Sequence, residues 1–247
     1  MFESLQLLWI EPPGRGLSLL QGLLSTLQIA LGAYALGLTI GLLGALGKIH
    51  GNVVLRWALE FYTTIIRAVP ELVLILLLYY AGSTALNSVL VSLGFETVDI
   101  SGLVAGIAVL GLVMGAYSTE VIRAAMLAVP KGQTEAALAF GMSRFQVLRR
   151  VTIPAMIPFA LPGLSNLWLI VTKDTALLAV VGFFELATVT KAAAGSTRNY
   201  LLFYCAAAVL YLCVTLISNM VFRRIEKHYR VEKSADASTP AIVGVPR

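Results

Sequence analysis

Residues 19–46 read LLQGLLSTLQIALGAYALGLTIGLLGAL, a run of 28 residues without a charged side chain. As a helix it exceeds the roughly 20 apolar residues that cross the hydrocarbon core of a bilayer. Gly37 and Gly41 recur four apart within it and predict a face for close helix contact. Outward along the chain, four further apolar stretches are read as spans, at about Val69–Ala85, Leu103–Met126, Pro158–Val181 and Leu201–Phe222. Gly102, Gly106, Gly111 and Gly115 give the third span a second close-packing face, and residues Asn52 to Ile66 read as an interfacial helix. Only 13% of the chain is charged and 58% is hydrophobic, against about 25% charged in a soluble domain. The predicted fold class is an all-α integral membrane protein with about five transmembrane helices.

The charges set the orientation. With the N-terminus outside, 14 of the 18 Lys and Arg residues fall on the inner side, and only Arg15, Lys173, Lys191 and Arg198 remain elsewhere. The positive-inside rule therefore predicts N-out, C-in. The net charge of +5 flanks apolar segments and so speaks against a nucleic-acid partner. The first residues carry Glu3 and Glu11 and no base before Arg15, so no cleavable signal peptide is expected. Cys205 and Cys213 sit in one apolar stretch, and His50 and His228 lie far apart, so no metal site is expected. The polar stretch from Val231 to Arg247 lacks periodicity and is expected to be disordered.

The loop between the third and fourth spans, about residues 129–154, carries the strongest signal. Pro130 and Gly132 break the preceding helix. Thr134 is placed to cap a new one, with Glu135 in its first turn. Ala136, Ala137 and Ala139 form helix with little bulk, and Gly141 permits a sharp stop. A basic second helix leads to Pro154. Local physics leaves two readings open, a surface that a partner approaches closely or an amphipathic loop helix on the membrane.

Glu135-Ala136-Ala137, three residues, Gly141, nine residues and Val151-x-Ile153-Pro154 resemble the EAA motif of permease subunits of bacterial ABC importers. The usual ending is Ile-x-Leu-Pro, from which Val151 and Ile153 are conservative departures. Ala116-Tyr117-x-x-Glu120-x-x-Arg123, Val129-Pro130-Lys131-Gly132-Gln133, Arg67-x-x-Pro70, Asn166 and Lys173-Asp174-Thr175 resemble the polar amino-acid branch. The stretches Tyr62–Val73 and Gly115–Tyr117 look closest to permeases for histidine, lysine/arginine/ornithine and opines. The likeness covers about residues 17–230.

This resemblance implies a type I ABC importer permease fold in the bacterial inner membrane. It divides the chain into an N-terminal periplasmic segment (1–16), a transmembrane permease domain (17–230) and a cytoplasmic tail (231–247). It implies ATPase coupling through Glu135, Ala136, Ala137, Gly141 and Pro154. The implied partners are a cytoplasmic ATPase dimer, a second permease (a related chain is favoured, a second copy the alternative), a periplasmic binding protein and an amino-acid substrate. ATP and magnesium would belong to the ATPase. This chain lacks a phosphate-binding loop, since Gly47-Lys48 is followed by Ile49 and the earlier glycine is replaced by Leu42. No zinc-protease motif or nucleophile elbow is present either, so the chain is not expected to be an enzyme.

Charges in a membrane are costly and mark functional candidates. Glu120 and Arg123, three apart on one helix face, read as a structural or gating ion pair. Glu71 follows Pro70 and either meets a cationic substrate or pairs with Arg67 one turn away. Lys173 and Asp174 either neutralise each other at a gate or leave Asp174 facing the pathway. Glu185 is a further pathway candidate. With Asp174, Glu96 and Asp99 it could make an acidic outer mouth, although outer loops carry acids for bland reasons too. The competing classes are a non-transporting membrane scaffold, a permease for neutral or acidic amino acids, a secondary transporter, which would show internal repeats, and an intramembrane enzyme.

Overall fold

The computed structural model describes residues 6–10, 14–98 and 101–229; the expectations for the tail and for Asp99 lie outside these. All regular structure among the described residues is helical. The order is α1 (Gly16–His50), α2 (Val53–Ala68), α3 (Glu71–Ser92), α4 (Gly102–Leu127), α5 (Lys131–Ala139), α6 (Arg144–Val147), a π-helical turn (Leu148–Thr152) and α7 (Ile153–Asp174). A 3₁₀ turn (Thr175–Val181), α8 (Leu186–Thr197) and α9 (Tyr200–Tyr229) complete it. Five segments are long and apolar enough to cross a membrane: α1, α3, α4, the run Arg144–Val181 and α9.

Three local expectations need correction. The fourth span does not start near Pro158, because helix runs on from Arg144 through Pro154, Pro158 and Pro162. Proline is tolerated in the first turn of a helix, and Pro154 sits there in α7, just after the π turn. Thr134 is not the cap of α5. The helix starts one turn earlier, after Pro130, and the Thr134 hydroxyl donates back to the Lys131 carbonyl. Finally, α8 was not anticipated. Its buried Leu186, Val189, Thr190, Ala193 and Ala194 follow helical spacing, but its 12 residues are too short for a span.

The most intimate packing joins α1 to α4. A Cβ on Gly37 would lie 2.7 Å from Met114 Cβ, and one on Gly41 2.4 Å from Ser118 Cβ and 3.1 Å from the Thr119 backbone nitrogen. From the other side, a Cβ on Gly115 would meet Ile40 at 2.6 Å. These glycines let two backbones approach, as small residues do in membrane interfaces. α4 is buried along most of its length, whereas α3 buries only Leu74 and Ile75.

An ionic cluster ties α1, α2 and α4 at one end of the bundle. Lys48 Nζ donates to Glu120 Oε1 (2.5 Å), Glu60 Oε2 (2.7 Å) and Thr63 Oγ1 (2.7 Å). Its side chain is 3% exposed. Glu120 Oε2 also accepts from Arg123 Nη2 (2.9 Å). All three ammonium donors are thereby used, as a buried Lys requires. Glu60 is 59% exposed and adds little by comparison.

Two outcomes follow. Overpacking a tight interface costs about 1–3 kcal/mol, so Gly41→Leu should lower the melting temperature in detergent by several degrees. Gly82→Leu, with nothing within 4 Å of its Cβ position, should leave it nearly unchanged. Removing one partner of a buried pair costs about 3–5 kcal/mol, so Lys48→Met should melt well below the wild type. Adding Glu120→Gln should recover part of that loss; a double variant no more stable than Lys48→Met would show that the two side chains are not coupled.

Candidate functional site: a carboxylate pair and a protruding loop

Two regions collect the polar residues that the Lys48 cluster does not use. The first lies where the start of α3, the middle of α4 and the end of α7 meet. Pro70 sets the start of α3 and puts Glu71 in its first turn, where the helix dipole favours a carboxylate. Tyr117 of α4 donates its hydroxyl to Glu71 Oε1 at 3.0 Å. Asp174, the last residue of α7, lies within electrostatic reach of both Glu71 and Tyr117, and Arg67 reaches Tyr117 from the end of α2. Asp174 Oδ2 is buried and accepts no hydrogen bond from the described residues. A buried carboxylate oxygen left without a donor is costly and calls for one.

The expected partners of this pair differ. No salt bridge joins Glu71 to Arg67 among the described residues; Tyr117 takes that place. Lys173 does not neutralise Asp174 by a salt bridge among the described residues, and its side chain is exposed. Adjacent helical residues diverge by about 100°, so Lys173 and Asp174 point to different faces. Glu120 and Arg123 do pair, as their spacing predicts, but Lys48 dominates that cluster. Its partner lies 72 residues away in sequence, out of range of any local pattern.

Glu185 is not at an open mouth. It is fully buried and caps α8, accepting from the Ala187 and Thr188 amides at 2.8 and 2.6 Å. Thr26 of α1 and Tyr211 of α9 donate to its Oε2 at 3.5 and 3.3 Å. Every acceptor site is directed at protein, so Glu185 pins α8 between α1 and α9. Tyr62 of α2 donates to the Leu112 carbonyl, midway along α4.

The second region is the loop. α5 presents Glu135 and Ala136 outward while Ala137 turns in. Gly141 stops it in the left-handed conformation (φ 78°) that glycine adopts without strain. Ser143 and Gln146 then form a reciprocal capping box on α6. Phe140 stands 89% exposed at the tip, with Phe145 and Leu138 also exposed. Such side chains on a built turn form an unpartnered apolar surface. Phe140 was missed from sequence, where it reads as a residue of an ordinary loop.

Among known proteins, the histidine/lysine/arginine/ornithine transport system permease protein HisQ of Escherichia coli (strain K12) is 44% identical over 213 residues, covering 86% of this chain and 93% of its own. The octopine transport system permease protein OccQ of Rhizobium radiobacter is 37% identical, covering 90% and 94%. The solved structure of an amino acid ABC transporter with histidines superposes with a TM-score of 0.72 at 30% identity, covering 85% of this chain and 94% of that one. An inward-facing MetNI methionine ABC transporter, 20% identical with a TM-score of 0.73, shares the fold. Residues 37–231 match the family described as binding-protein-dependent transport system inner membrane component. The chain is a multi-pass membrane permease subunit and belongs to that family.

Proposed function

We propose that this chain is half of the membrane pathway of an ATP-driven importer for basic amino acids, with histidine, lysine, arginine, ornithine and opines as the substrate class. The relatives named for those substrates support this reading. The observation that carries it is the Glu71–Asp174 pair with its unmatched buried oxygen. A guanidinium or ammonium brings several donors and a positive charge, which such a site lacks. Tyr117 holds Glu71 in place, leaving Asp174 to receive the cation. Every amino acid brings an α-ammonium, but only a basic one brings a second cation, so a neutral or acidic amino acid would leave one of the two carboxylates without a cation.

The chain lies in the bacterial inner membrane with its N-terminus outside and the α4–α7 loop in the cytoplasm, an orientation supported by the basic residues at that end. The ATPase is a separate dimer that holds ATP and magnesium. It receives α5, with Glu135 and Ala136 as the contact face, Ala137 packing that helix onto the chain, Phe140 as an anchor and Gly141 setting the turn. Pro154 marks where this loop passes into α7, so movement at the loop bears directly on the helix that ends in Asp174. The Glu120–Arg123–Lys48 cluster holds α1, α2 and α4 together as α7 moves. A second, related permease completes the pathway, and a periplasmic binding protein delivers the substrate.

Two experiments test this reading in vesicles containing the chain with its ATPase, second permease and binding protein. Asp174→Asn should raise KM for arginine uptake by about tenfold or more, the loss of one charge-assisted contact. An unchanged KM would remove Asp174 from the site. Gly141→Val, which forces a β-branched residue into a left-handed turn, should abolish ATP-driven uptake while insertion and monodispersity stay normal. Gly132→Ala, in open space within α5, should transport normally. Normal uptake by Gly141→Val would contradict the coupling role.

A further inference from the structure

A cleft of about 1190 Å³ opens between α7 and the end of α9, bordered by Pro130 and by Gln133 at the start of α5 and apart from the carboxylate pair. One wall is apolar and built by proline. Pro154, Pro158 and Pro162 recur every fourth residue of α7 and line the cleft, with Phe159 beside them. Proline has no N–H, so Pro158 and Pro162 leave the carbonyls of Pro154 and Pro158 without a helical donor. The other wall is basic. Arg223 and Lys227, one turn apart on α9, and His228 line it. Glu226 is the one acid in the lining, and Ser165 Oγ already donates to it at 3.2 Å. This basic turn follows the apolar stretch of α9, where the helix leaves the hydrocarbon.

We propose that the cleft binds an anionic phospholipid. Its phosphate lies against Arg223, Lys227 and His228, and its acyl chain runs along Phe159 and the proline face of α7. Basic pockets between membrane helices recognise such head groups. The charge excess selects an anionic over a zwitterionic lipid. The site needs only that the chain spans a membrane, and it stands whichever amino acid is carried.

The test is native mass spectrometry of the purified full-length chain, titrated with phosphatidylglycerol or phosphatidylcholine of matched acyl chains. Phosphatidylglycerol should bind about tenfold tighter, and Arg223→Gln/Lys227→Gln should remove that preference. Arg149→Gln/Arg150→Gln removes the same charge from exposed positions outside the cleft lining and should preserve it. If the double variant on α9 does not purify as a monodisperse species, Lys227→Gln alone should still weaken phosphatidylglycerol selectively. Glycerol 3-phosphate should not displace the lipid, because it lacks the acyl chain. Equal binding of the two lipids would overturn the proposal and leave the cleft to a protein partner. Equal loss in the outside pair would make the effect a general surface attraction, and displacement by glycerol 3-phosphate would make the site one for soluble phosphate; either result also overturns it.

Discussion

The contact of α1 with α4 is the constraint on which the rest depends. In lipid the backbone must satisfy itself within helices, and those helices gain no hydrophobic drive from one another, so close packing holds them. Gly37, Gly41 and Gly115 bring the two backbones together to a degree that no larger side chain allows. α4 thereby becomes the central helix. Tyr117 and Glu120, three residues apart on it, project toward the two polar clusters. A shift of α4 would move both at once.

The two clusters differ in how far their polar atoms are satisfied. Around Lys48 every donor has an acceptor, and the result is a clamp between α1, α2 and α4. Glu185 is likewise saturated, by two amides and three hydroxyls, and acts as a clamp for α8. Around Asp174 the accounting is left open by one buried oxygen. A fully satisfied buried network rigidifies a core, whereas a partly satisfied one lacks a partner. The loop repeats the contrast on the surface. Its turn is fixed internally by Gly141 and the Ser143–Gln146 box, yet Phe140 is left with nothing to pack on.

Much of this was legible in the sequence because its causes are local. The spans follow from apolar length, the α1 glycine face from spacing four, and the Glu120–Arg123 pair from spacing three. The loop could be outlined from Pro130, the alanines and Gly141, although Pro130 rather than Thr134 precedes its first turn. What escaped was set by tertiary contact. Lys48 counts as one more basic residue at a membrane end until Glu60, Thr63 and Glu120 are folded around it. Glu185 resembles a surface acid until α8 is placed behind it. The helix through three prolines is decided by the π turn and by the packing of α7, neither of which has a short-range signature.

The open carboxylate at the α3–α4–α7 junction predicts a cation site within the permease itself. The most direct measurement is binding of labelled arginine to the purified permease pair without the binding protein, competed by lysine and by citrulline. Citrulline has nearly the shape of arginine but no charge on its side chain. Lysine should compete, and citrulline should need at least about tenfold more, since the interaction lost is a charge-assisted hydrogen bond to a buried carboxylate. Equal competition by citrulline would show that charge is not read at this junction and would contradict the account.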